Sequence, residues 1–160
     1  MKVVSMVEPA HVDGGDVLFT GREIFVGVSK RTNEEGVEVI RDTFPEFPVL
    51  PIRVGDGTLH LKSMMSMAGD DMIAFGSSSN AELVRQLVAT EAKFSYTLVT
   101  VPEDFAANCL YINGVLVHRS SEEFPASVEV LKSFAEKTIG LNASELGKVD
   151  GALTCCSLLY

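Results

Sequence analysis

The residues able to do chemistry are few: the thiols Cys109, Cys155 and Cys156, the imidazoles His11, His60 and His118, and the paired carboxylates of Asp13-Gly14-Gly15-Asp16. A free cysteine is usually a small buried hydrophobe, and becomes a nucleophile only where its thiolate is favoured and solvent reaches it. Cys109 opens the apolar run Cys109-Leu110-Tyr111-Ile112 and reads as core. Cys155 differs, because Asp150-Gly151-Ala152-Leu153-Thr154 runs straight into it and a Gly-containing turn leaves backbone amides and solvent beside the thiol. For this residue, packing and catalysis are equally open on the residues alone. His60, in Thr58-Leu59-His60-Leu61-Lys62-Ser63, follows the turn Gly55-Asp56-Gly57, where a solitary histidine reads first as structural. His11 and His118 have no chemical partner near them in sequence and read as surface or structural residues. No two Cys or His show the paired spacing of a zinc site. Asp13-Gly14-Gly15-Asp16 reads as a tight turn whose aspartates bond the local backbone.

The elements that must position these residues form an approximate repeat. In the first block, Asp16 to Thr20 and Glu23 to Val28 are strand-like runs joined at Gly21-Arg22. A helix follows, capped by Thr32 or Asn33, with Glu34 and Glu35 at its positive end and Val37, Ile40 and Phe44 on one face. Pro48 to Val54 is a strand whose two prolines favour a sheet edge. The second block opens near Leu59-His60-Leu61 and runs through a strand at Met72 to Phe75. Ser79 or Asn80 then caps a helix over Ala81 to Ala92, with Leu83 and Leu87 at helical spacing, before a strand at Tyr96 to Val101. The third has Cys109 to Ile112, an Asn113-Gly114 turn, Val115 to His118, and a helix over Pro125 to Lys137 bearing Val128, Leu131 and Phe134. Helix starts recur about every 45 residues, each block reading strand, strand, helix, strand. A ββαβ unit cannot bury its apolar face alone, so the blocks must pack side by side or around a common axis.

Composition narrows the partners. A net charge of −9 across 160 residues repels nucleic-acid phosphates. No apolar run approaches the ~20 residues of a membrane helix. The odd cysteine count gives no disulfide framework, and Met1 to Pro9 lacks the apolar core of a secretory signal, so cytoplasm is the expected compartment. A mean hydropathy of +0.22 in so acidic a chain points to apolar surface that meets a partner or a missing part of the same fold.

Four stretches together carry a family resemblance. They are Asp13-Gly14-Gly15-Asp16-Val17-Leu18-Phe19-Thr20-Gly21-Arg22-Glu23, Gly27-Val28-Ser29-Lys30-Arg31-Thr32-Asn33, Leu59-His60-Leu61-Lys62-Ser63 with Ser66-Met67-Ala68-Gly69, and Lys148-Val149-Asp150-Gly151-Ala152-Leu153-Thr154-Cys155-Cys156-Ser157. In order and spacing they resemble dimethylarginine dimethylaminohydrolase, of the guanidino-group-modifying (pentein) superfamily. The resemblance implies a five-bladed α/β-propeller of ββαβ modules. About three blades are represented here, in one partial domain over residues 1–160, with repeats at roughly 14–54, 58–102 and 107–142 and a closing segment at 143–160.

It further implies hydrolysis of asymmetric dimethylarginine and monomethylarginine to citrulline and methylamines, a reaction that bears on nitric oxide regulation, with neither cofactor nor metal. By motif, Cys155 is the implied nucleophile, His60 the acid and base, and Asp13 the residue that orients His60. Arg31 is the implied clamp on the substrate carboxylate, and the backbone of Val149 the receiver of its amine. The family's substrate lid, acidic guanidinium-binding pair and second arginine belong to an N-terminal segment outside these 160 residues, which span roughly 60% of the family's usual length. The expectation is therefore a shortened chain, weak or inactive alone, that self-associates through open blade edges. A non-catalytic partial ring, or a relative acting on another guanidino substrate, are the alternatives.

Overall fold

The first block folds as β1 (Val17–Phe19), β2 (Ile24–Val28), α1 (Glu34–Thr43) and β3 (Val49–Arg53). The structure, a computed structural model, describes residues 3–158; Met1, Lys2, Leu159 and Tyr160 lie outside it. β1 and β2 form a hairpin, and β3 returns parallel to β2 after the crossover helix that a parallel pair requires. β3 ends its sheet, so the prolines at 48 and 51 stand at an edge, where a missing N–H is tolerated. Asn33 caps α1, its Oδ1 accepting from the Gly36 N–H at 2.9 Å. Val37 on α1 is buried against Ile24 and Val26, whereas Phe44 is exposed just beyond the helix end.

The second block is β4 (Met65–Gly69), β5 (Met72–Phe75), α2 (Ser79–Glu91) and β6 (Thr97–Thr100). The third is β7 (Leu110–Ile112), β8 (Val115–Arg119), α3 (Pro125–Phe134) and β9 (Thr138–Leu141). Both repeat the antiparallel-then-parallel sheet of the first. Asn113 and Gly114, with φ of 50° and 79°, make the two-residue turn between β7 and β8. The helices begin at Glu34, Ser79 and Pro125, so the repeat is a repeat of structure. A four-residue helix α4 (Ser144–Gly147) and a 3-10 turn, Thr154–Cys156, follow.

Three details depart from the sequence reading. Ser78, not Ser79 or Asn80, caps α2, its hydroxyl accepting from the Ala81 N–H at 3.2 Å. The buried stripe of α2 is Ala81, Val84 and Val88, with Leu87 half-buried beside it, while Leu83 is 65% exposed. And His60 lies on no strand. It precedes a one-turn 3-10 helix at Leu61–Ser63, and the strand comes afterwards, at Met65–Gly69.

The three sheets do not join into one, and the blocks are held by what they bury between them. Leu18, Phe25 and Ile52 of the first block share a core with Leu61, Met64, Ile73, Phe75 and Val84 of the second. Ala68, Ala74 and Val101 pack with Cys109, Leu116 and Leu131 across the next junction. Buried polar groups add direction to this packing. Glu23, 1% exposed in the first hairpin, accepts from the backbone N–H groups of Lys93 and Phe94 and from the Tyr96 hydroxyl (2.9 Å) in the second block. Burial pushes the Tyr96 phenol up to about 12, so it remains a donor.

Candidate functional site

Asp13, His60 and Arg31 come together from three loops. Asp13 precedes the 3-10 turn Gly14–Asp16, and its Oδ2 lies 3.0 Å from His60 Nε2 and 3.7 Å from Arg31 Nη1. A carboxylate only accepts, so Nε2 carries the proton of that hydrogen bond. Nδ1 is left as the lone-pair nitrogen, while the His60 backbone is held to the turn: the Ser63 hydroxyl accepts from the His60 N–H at 3.3 Å and the Ser63 N–H donates to the His60 carbonyl at 3.1 Å. His60 is shielded, with its side chain 20% exposed, whereas Arg31 at 59% stands in solvent where a ligand can reach it.

The loops are fixed by the second aspartate of the motif. Asp16 is fully buried, with Oδ2 accepting from the Ser29 and Thr32 hydroxyls at 2.7 Å each and Oδ1 from the Leu61 N–H at 2.9 Å. One carboxylate thus ties the loop of Arg31 to the turn of His60. Thr32 also accepts from the Asp13 N–H at 3.0 Å. Two glycines permit close approach: a Cβ on Gly15 of the motif would lie 2.6 Å from His60 Cγ, and one on Gly27 of β2 would lie 2.8 Å from Asp16 Oδ1.

Cys155 is exposed in the turn Thr154–Cys156. Its nearest link to the group above is Lys62, two residues beyond His60. Burial lowers the Lys62 ammonium from its ordinary value, and the charges of Cys155 and Asp16 oppose that shift. Lys62, Thr154 and Ser157 border a cavity of about 270 Å³ that continues between Phe19, Met67 and Tyr111 of the first strands of the three blocks. Among the described residues, no hydrogen bond or ion pair joins Cys155 or Val149 to Asp13, His60 or Arg31. Val149 is 76% exposed after α4, its N–H bonded to the Leu146 carbonyl. Cys156 is exposed like its neighbour. Cys109 is buried as expected, and burial pushes its thiol up to about 11, so it is neutral and unreactive at ordinary pH. His118 is also buried, its Nδ1 at 2.6 Å from the Arg119 carbonyl.

Residues 4–142 match the sequence model of a family described as N,N dimethylarginine dimethylhydrolase, eukaryotic. The human protein named Putative hydrolase DDAH2 is 38% identical over 95% of this chain and 56% of its own length. This chain belongs to the dimethylarginine dimethylaminohydrolase family.

Among its members, the N(G),N(G)-dimethylarginine dimethylaminohydrolase of Pseudomonas aeruginosa is 25% identical over 99% of the chain, a match that takes in the Cys155 segment, and over 60% of its own length. A mutant of the Pseudomonas aeruginosa enzyme, solved in complex with citrulline, superposes with a TM-score of 0.78 at 22% identity, over 96% of this chain and 58% of that one. The inosamine-phosphate amidinotransferase StrB1 of Streptomyces griseus superposes at 0.71 with 18% identity, over 93% and 46%. These likenesses show a shared α/β fold of small mixed sheets. The chain thus spans less than two thirds of the length of these dimethylarginine dimethylaminohydrolase relatives.

The motifs in the sequence named Asp13, His60, Arg31, Cys155 and Val149, and the first three meet. Asp16 and Lys62 stood in the quoted motifs without a role. Asn108, which bonds to both Lys62 and Thr154, lay outside every motif, and its position before Cys109 in a loop gives no signal of that.

Proposed function

We propose that this chain carries the nucleophile, acid–base and carboxylate-binding residues of an enzyme that hydrolyses Nω-methylated arginines, asymmetric dimethylarginine and monomethylarginine, to citrulline and the methylated amine. The observation that carries the reading is the Asp13 carboxylate oxygen shared by His60 Nε2 and the Arg31 guanidinium. A histidine held by a carboxylate has a fixed tautomer and orientation, which is what an acid that later serves as base needs. An arginine at the same place, mostly solvent-facing, matches the forked geometry of a substrate carboxylate.

In this reading the Cys155 thiolate attacks the guanidinium carbon, forming a C–S bond. The C–N bond to the methylated nitrogen breaks, with His60 giving that nitrogen its proton, and dimethylamine or methylamine leaves. A thiouronium remains on Cys155. His60 then takes a proton from water, whose oxygen attacks the same carbon. The C–S bond breaks, restoring the thiolate and releasing citrulline. A guanidinium is a resonance-stabilised, poor electrophile, so the step demands both a thiolate and an acid for the leaving amine. Asp13 keeps His60 in place, Arg31 holds the substrate carboxylate, and the Val149 carbonyl receives the α-amine. The three blocks are read as blades of an α/β-propeller within one domain, acting in the cytoplasm and through nitric oxide regulation. No helix among the described residues is long and apolar enough to cross a membrane.

Citrulline formation from asymmetric dimethylarginine by the purified chain, alone or with the family's N-terminal segment added as a separate polypeptide, with Cys155→Ser and Cys156→Ser beside it, tests the assignment. Cys155→Ser should abolish product and Cys156→Ser should retain it. The reverse pattern would move the nucleophile.

A further inference from the structure

Asn108 sits between two residues whose backbones are already fixed. The buried Ser66 hydroxyl donates to the Ala107 carbonyl at 2.5 Å and accepts from the Cys109 N–H at 2.9 Å, one residue to either side. From this anchored point the Asn108 side chain, 3% exposed, reaches two other segments. Its Nδ2 donates to the Lys62 carbonyl at 2.7 Å and to the Thr154 hydroxyl at 2.9 Å, and its Oδ1 accepts from the Thr154 N–H at 3.0 Å. Lys62 is two residues past His60, and Thr154 immediately precedes Cys155. The orientation of the amide is forced, because a carbonyl must face its NH₂ and an N–H its oxygen.

Among the described residues, nothing else of that kind holds the cysteine segment. Among the described residues, the other hydrogen bonds of residues 149–158 are local: Cys155 N–H to the Ala152 carbonyl, Cys156 N–H to that of Leu153, the Ser157 hydroxyl to that of Leu153, and the turns back to Leu146 and Gly147. Leu153 supplies the one buried side chain among the segment's described residues. A turn held only by its neighbours in sequence can pivot, and a shift of about 1 Å between reacting groups costs on the order of a hundredfold in rate.

We propose that Asn108 is a positioning residue that clamps the Cys155 turn to the His60 turn, so that the thiol and the imidazole act as a pair only while its side-chain amide is intact. The proposal rests on Cys155 and His60 being nucleophile and acid–base, and goes beyond that reading in naming what brings them into register.

Alkylation by iodoacetamide, resolved by peptide mapping, reads Cys155 against its exposed neighbour Cys156 as an internal reference. In the unaltered chain, followed from about pH 5 to about pH 9, the Cys155 rate should carry an inflection that disappears in His60→Asn, while Cys156 follows a simple thiol curve. In Asn108→Ala that inflection should vanish from Cys155 with Cys156 unchanged, and Thr154 amide exchange should accelerate about tenfold or more. Asn108→Asp keeps the acceptor for the Thr154 N–H but loses both donors. It should keep Thr154 protected and still uncouple Cys155 from His60, and it carries the test where the alanine variant does not fold. An inflection that survives in a folded Asn108 variant overturns the proposal while leaving the His60–Cys155 pair standing. Its absence from the unaltered chain overturns the pair, and the clamp with it.

Discussion

Gly15 serves His60 by having no side chain. A Cβ there would stand 2.6 Å from Cγ and 2.7 Å from Nδ1 of the imidazole, closer than real contacts allow, so the ring would have to leave Asp13. Gly15→Ala should therefore lower kcat/KM for asymmetric dimethylarginine by about a hundredfold or more, with the circular dichroism spectrum preserved. A variant of unchanged kcat/KM would show that the Asp13–His60 contact is dispensable. Arg31 belongs to the same carboxylate but to a different step. A clamp on the unreactive end of a substrate contributes mainly uniform binding, so Arg31→Ala should raise KM about tenfold or more with a smaller fall in kcat. An unchanged KM in steady-state assays would remove it from the site. The motifs pointed to these residues; the sharing of one Asp13 oxygen between His60 and Arg31 was not legible, because loops 18 or more residues apart in sequence meet only after the first two blocks have packed.

At the scale of elements, the third block is held by an ion pair. Arg119 at the end of β8 and Glu123 before α3 are paired with side chains only 6% and 9% exposed, and Glu123 also accepts from the Ala143 N–H at 3.0 Å, joining strand, helix entry and closing segment. The Arg119 hydrogen bonds, then the Ala143 N–H, hold the Glu123 carboxyl at about 2, below its ordinary value. A carboxyl depressed in the folded state contributes stability that is fully present above its unfolded pKa and lost as pH falls toward the folded one. The melting temperature should accordingly fall between about pH 5 and about pH 2, and Glu123→Gln should flatten that part of the curve. At neutral pH the same variant should be less stable by about 3 kcal/mol, since it leaves Arg119 buried without its charge partner. Calorimetry across that range checks both, and a variant with the original pH dependence would exclude Glu123 as its source. Element types and order were largely readable from period and turn chemistry. The face of α2 was not. Leu83 and Val84 both keep helical spacing, and only the packing of α2 against the first two blocks decides that Ala81, Val84 and Val88 turn inward and Leu83 outward.

For the whole molecule, the outer flank of the third block exposes apolar side chains. Ile139 and Leu141 share one face of β9 and are 50% and 46% exposed, with Leu146 and Val149 exposed farther along. β9 ends its sheet, so its outward edge carries unpaired backbone groups beside these side chains. The chain should self-associate in a concentration-dependent way, and Ile139→Lys with Leu141→Lys should shift it toward monomer in sedimentation velocity. A wild-type chain that is monomeric at every concentration would argue against this flank as an interface.

The sequence by itself determined the three-block order, a polar cap at Thr32 or Asn33, the edge placement of β3, the Asn113-Gly114 turn and the core role of Cys109, because each depends on local backbone preference or a short apolar period. The family, too, was legible in it, since motifs are strings of residues. Only the tertiary structure decided that Asp16 holds the loop of Arg31 to the turn of His60, and that Asn108 holds that turn to Thr154. A buried side chain with several hydrogen-bond partners takes its meaning from groups that long stretches of chain separate. Those partners become neighbours only when apolar burial between the blocks fixes where each loop ends.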